Sequence, residues 1–86
     1  MNPALLVEFL GTAVLLTAVS FGNPLLVVGA LAVAVSLGGP VSGAHFNPAV
    51  TAFQYISGKV SRNTAMLYVL AQLLAALSIG FLRRVL

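Results

Sequence analysis

Apolar residues fall into three long runs separated by short polar or turn-forming breaks, and that pattern predicts the elements. The first run covers residues 3–21, with one acidic interruption at Glu8. As a helix rising ~1.5 Å per residue it extends about 28 Å, close to the ~30 Å hydrocarbon core of a bilayer. Asn2 and Pro3 suit an N-cap and a first-turn proline. "FGNP", Phe21 to Pro24, breaks the run, and Pro24 opens a second helix predicted over residues 24–37. "GGP", Gly38 to Pro40, closes it at about 21 Å, a length that suits a thin or locally distorted membrane. A third spanning helix is predicted over residues 62–82, with Ser61 as N-cap and Arg83 and Arg84 at its last turn. Cations there favour the helix dipole and snorkel toward water.

Between the second and third runs lies "PVSGAHFNPAVTAFQYISGKV". Residues 48–57 are helix-compatible but reach only ~15 Å, half a bilayer. The stretch before them carries glycine and polar groups and is predicted to be non-helical. Irregular backbone at membrane depth is tolerated only inside protein or along a watery cavity. A re-entrant loop followed by a half-helix satisfies both constraints. The predicted fold class is therefore an all-α membrane protein: three transmembrane helices, one re-entrant loop and one half-helix, in a single unit spanning residues 1–86.

Composition agrees. Hydrophobic residues make up 60% of the chain and charged residues 6%, with a mean hydropathy of +1.12; a soluble domain carries roughly 25% charged residues. Four scattered basic residues give no nucleic-acid footprint despite the net charge of +3. Cysteine is absent, which excludes a disulfide framework and thiolate metal sites. The N-terminal run lacks a cationic leader and is read as a retained helix. One acidic residue and one histidine make no catalytic constellation within the chain, so neither an enzyme, a cofactor nor a metal is expected.

The triplet Asn47–Pro48–Ala49 has its own physical logic at a helix start. The side-chain oxygen of Asn47 can cap first-turn N–H groups, leaving its amide N–H₂ free to donate outward. Pro48 has its φ pre-set and needs no hydrogen-bond partner, and Ala49 keeps the surroundings small. The half-helix then aims its positive dipole end at mid-membrane.

"SGAHFNPAVT", Ser42 to Thr51, closely resembles the first-repeat motif of the aquaporins and glycerol facilitators, the major intrinsic proteins. "EFLGT", Glu8 to Thr12, and "AQLLAA", Ala71 to Ala76, resemble the first and third helices of the same repeat. The resemblance covers nearly the whole chain but only one of the family's two inverted repeats. It implies a pore in which Asn47 donates to a solute oxygen and the carbonyls of Gly43, Ala44 and His45 line the approach. The family's second repeat usually reads "NPAR" at its narrowest region; here that position is Val50. Counting back from the motif, Val27 falls at another filter position. A constriction of valines without arginine implies weaker discrimination against small neutral solutes such as glycerol.

One half-helix leaves half the membrane unlined, so a pore requires an inverted second copy or another chain. With the N-terminus on one side, Lys59 and Arg62 lie on that side and Arg83 and Arg84 on the other. Such a balance carries almost no positive-inside bias and permits insertion both ways. Small residues recur every four positions at Ala30, Ala34 and Gly38, at Ala71 and Ala75, and at Ala76 and Gly80, which lets helices approach closely in lipid. The expected partners are membrane lipid, water and a second, inverted copy; the family's four-pore assembly would imply four such dimers.

Glu8 at helix depth costs ~2.5–3.5 kcal/mol on insertion scales. Its family-like role, with Thr12, is structural, bonding to the re-entrant loop near His45. The competing roles are proton coupling in a small exporter, and no conduction at all in a fragment or partner of a hetero-oligomeric channel. His45 is read as a loop hydrogen-bond partner rather than a proton sensor. Tyr55 and Tyr68 are read as interfacial anchors, and Phe46 and Phe53 as packing residues.

Overall fold

In a computed structural model, residues 2–86 are described, and they form four helices: α1 (Pro3–Ser20), α2 (Pro24–Ser42), α3 (Pro48–Ile56) and α4 (Arg62–Val85). Each begins on a capping side chain. Asn2, Asn23 and Asn47 accept from first-turn N–H groups and are followed by proline, while Ser61 accepts from Thr64 N. Helices α1, α2 and α4 are long and apolar enough to span a membrane. The half-helix α3 is nine residues long.

Helix α1 packs against both α2 and α4, and α3 packs on α4. The faces turned outward are almost wholly apolar, with Leu25, Leu37, Ile56 and Leu77 among the most exposed side chains. The interior is far more polar, holding Glu8, Thr12, Ser42, His45, Thr51 and Gln72 beside Phe46, Tyr68, Ala18, Ala71 and Ala75. That inversion follows from the solvent. Lipid tails welcome leucine as readily as a core does, so polar groups collect inside, where they can bond to each other.

Two boundaries differ from the sequence reading by more than terminal fraying. Helix α2 does not stop at Gly38; it passes through Gly38, Gly39 and Pro40 to Ser42, where Gly43 caps it in the left-handed conformation (φ 88°) and donates to Gly39 O. A proline this near a helix end costs one ladder bond, and membrane helices accommodate it when neighbours satisfy the freed groups. The left-handed glycine is what ends the helix. As a result α2 spans fully, and the non-helical stretch is only residues 43–47. Helix α4 continues to Val85, which brings Arg83 and Arg84 inside its last turn.

Candidate functional site: the re-entrant loop and its carboxylate anchor

Five residues turn the chain from the end of α2 into α3, and their backbone is unusual. Gly43, Ala44 and Phe46 all have positive φ, at 88°, 54° and 56°. For alanine and phenylalanine that conformation is uncommon and costs of order 1–3 kcal/mol. It persists because Glu8 of α1 holds the turn. Its Oε2 accepts from His45 N at 3.0 Å and Ser42 Oγ at 2.7 Å. Its Oε1 accepts from Phe46 N at 2.8 Å and Gln72 Nε2 at 2.9 Å. The carboxyl group is fully buried. All four neighbours donate and none is a basic side chain, so a carboxylate, which only accepts, satisfies them together. Successive N–H groups in a positive-φ turn form a concave nest for an anion; here the anion belongs to the protein.

A second layer extends from this anchor. Gln72 Nε2 also donates to Thr51 Oγ1 at 2.9 Å, and His45 Nδ1 lies 2.9 Å from the same oxygen. Tyr68 OH donates to Ser42 O at 2.6 Å, and its ring meets the His45 imidazole edge-on with centroids 4.9 Å apart. Tyr68 is therefore an interior residue, correcting its reading as an interfacial anchor: its hydroxyl finds a stronger partner in the α2 terminus than at the lipid surface. Tyr55 stays exposed, and Phe53 is two-thirds exposed rather than packed within the chain. Phe46 is buried against Gly11 and Gly38.

The loop thus points its polar N–H groups inward. Among the described residues, the carbonyls of Gly43, Ala44 and His45 accept no hydrogen bond. Asn47 follows with an exposed side chain whose Oδ1 accepts from Ala49 N at 2.7 Å, leaving both amide donors available. Pro48, Ala49 and Val50 are exposed on the first turn of α3, and Val27 lies half-buried on α2. Among the described residues, Thr12, one turn beyond Glu8, is buried with no partner for its hydroxyl, and Gln72 Oε1 is likewise unpartnered.

Gln72, Ser42, Thr51, Tyr68 and Gly11 received no site role from sequence reasoning. A signal existed for Gln72: an amide within "AQLLAA" of a lipid-solvated helix must have a partner. Nothing local identified that partner as Glu8.

Comparison with known proteins places this chain. The chain is 46% identical over 48 residues to the aquaglyceroporin AqpS of Rhizobium meliloti, a match covering 56% of this chain and 21% of that protein. It is 42% identical over 65 residues to aquaporin-5 of Sus scrofa, covering 76% and 22% respectively. Against aquaporin TIP4-3 of Zea mays it is 42% identical over 69 residues, covering 80% and 26%. The chain therefore spans only about a fifth to a quarter of the length of these relatives. No solved structure matches it significantly. The family model for major intrinsic proteins matches residues 14–85, and the chain, an integral multi-pass membrane protein, belongs to the major intrinsic protein family.

Proposed function

We propose that this chain is one half of a passive channel for water and small neutral solutes, completed by a second copy inserted upside down. The observation that carries the reading is Asn47. It caps a helix of half-bilayer length with its oxygen and leaves both amide donors exposed beside the positive helix end. Two such ends facing across the midplane would hold a solute oxygen by donated hydrogen bonds and repel cations, hydronium included. The unengaged carbonyls of Gly43, Ala44 and His45 would supply acceptors on the approach, so that water passes in file with no chemistry done on it.

The filter position differs from that of the family's arginine-bearing repeat. Val50 and Val27 give an apolar constriction, which supports passage of glycerol alongside water. The names of the relatives fit either solute, since both aquaporins and an aquaglyceroporin are among them. The four hydrogen bonds on Glu8 support a structural role over proton coupling, because both of its oxygens are engaged in holding the loop and α4 together.

The test is osmotic shrinkage of liposomes containing this chain alone, with Asn47→Asp as the matched variant. Fast water efflux that the variant loses is the expected result. Efflux no faster than bare lipid, with folded protein verified by circular dichroism, would assign the chain to a hetero-oligomer or to no channel.

A further inference from the structure

Four hydroxyls on the spanning helices satisfy themselves locally. Those of Thr17, Ser20, Ser36 and Ser78 donate to the carbonyl three or four residues back, at 2.6–2.8 Å. Lipid offers no acceptor, so that bond is the default for a hydroxyl on such a helix. Thr12 breaks the pattern. It is only 3% exposed, yet its Oγ1 bonds to no atom of the described residues, its own helix included. Gln72, on α4, is 1% exposed, and its Oε1 is equally without a partner. Burying either group unpaired is costly, and such pairs of atoms call for a bonding partner.

The two atoms are neighbours. Gln72 Nε2 lies 2.9 Å from Glu8 Oε1. Thr12 follows Glu8 by one turn on the same buried face of α1, and residues four apart on a helix have Cβ atoms about 5–6 Å apart. A direct hydrogen bond needs an O···O distance of about 2.8 Å, and none is made. One molecule with such a bond on each side bridges about 5 Å. The amide cannot turn over to cure the problem. Its Nε2 donates to both Glu8 and Thr51, and exchanging its ends would set oxygen against carboxylate oxygen. Oε1 therefore needs a donor, while the Thr12 hydroxyl both donates and accepts. Ala75, three residues beyond Gln72 on the buried face of α4, fills little of the space with its methyl group.

We propose that a single water molecule is bound between α1 and α4, accepting from Thr12 Oγ1 and donating to Gln72 Oε1. Its other hydrogen goes to the second lone pair of a nearby helix carbonyl, within the two to four bonds usual for a buried water. The water completes the bonding of Gln72 and so fixes the amide that ties Glu8 to Thr51 on the first turns of α3. Thr12 is thus a positioning residue, acting on the half-helix through the water and Gln72. No step depends on what the channel conducts or on how it is completed.

The test joins a crystal structure of the full-length protein, at a resolution that orders water, to a stability cycle in detergent. Density for one oxygen within hydrogen-bond distance of both Thr12 Oγ1 and Gln72 Oε1 is expected. Thr12→Val, which keeps the shape and loses the hydroxyl, should lose that density and lower the folding equilibrium constant about tenfold. Thr12→Ser should keep both density and stability. In a Gln72→Met background, where the acceptor is gone, Thr12→Val should cost little. A direct Thr12–Gln72 bond in the crystal would overturn the proposal. So would Thr12 donating to its own helix carbonyl, or a Thr12→Val protein as stable as the unsubstituted one. If Gln72→Met fails to fold, the density and the contrast between Thr12→Val and Thr12→Ser still decide it.

Discussion

The ring of Phe46 occupies the space in which any side chain on Gly11 would have to stand. The same ring brings its Cζ to 2.9 Å from the place a Cβ on Gly38 would take. Two glycines on neighbouring helices thus form a notch, and the residue immediately before Asn47 is wedged into it. With Glu8 holding the backbone of Phe46 from the other side, the wedge fixes where the half-helix begins.

Gly11→Ala is therefore expected to destabilise the fold by about 1–3 kcal/mol through overpacking, and to reduce water flux per folded protein because Asn47 is displaced with Phe46. Gly29→Ala, at a position with open space around it, is the matched control and should stabilise slightly through helix propensity. Thermal unfolding in detergent, followed by circular dichroism, compares the two. Equal midpoints would remove the wedge from the account.

Glu8→Gln turns one acceptor oxygen into a donor group facing donors. Each donor left unbonded at this depth costs about 1–3 kcal/mol, so stability and water flux should fall together. Unfolding midpoint and efflux rate measured on the same preparation decide the matter. Transport lost with the midpoint unchanged would move Glu8 from an anchoring role to proton coupling.

Val50→Arg, alone or with Val27→Phe, should narrow and polarise the constriction. Glycerol uptake by liposomes, read as light scattering during reswelling, is expected to drop about tenfold, equivalent to roughly 1.4 kcal/mol at the barrier, while water efflux falls less. Unchanged glycerol uptake would show that neither valine lines the narrowest point.

The inverted pair predicts two orientations of one chain in one membrane. The sequence has no cysteine, so Ser57→Cys, in the exposed turn after α3, carries a single label site. A membrane-impermeant maleimide applied to intact cells should modify roughly half of the molecules, as the near-even distribution of basic residues allows. Labelling of all molecules or none would fix one orientation and exclude the pair.

Much of this architecture is legible without coordinates. In lipid every backbone group must be satisfied within its own helix, so spans reduce to length and composition. The caps at Asn2, Asn23, Asn47 and Ser61 are equally local, each resting on a hydrogen bond to the N–H of a residue two or three positions on. For the same reason the half-helix and its outward-facing amide could be read from ten residues around Asn47.

Other features needed the fold. "GGP" has the composition of a helix stop, yet α2 passes through it, because the end of a helix is set by where a left-handed glycine is accommodated, here Gly43. Tyr68 has the amphipathic character of an interfacial residue, but Ser42 O is within reach only because α2 ends beside α4. Glu8 announces that it must have partners and names none of them. They come from positions 34 to 64 residues away, and a local pattern holds no record of contacts at that separation. The number of spans and the caps that start them were thus fixed by short-range chemistry in the chain itself, whereas the end of α2 and the strained loop that positions Asn47 exist only because packing accommodates Gly43 and delivers a buried carboxylate and a glycine notch to the same place.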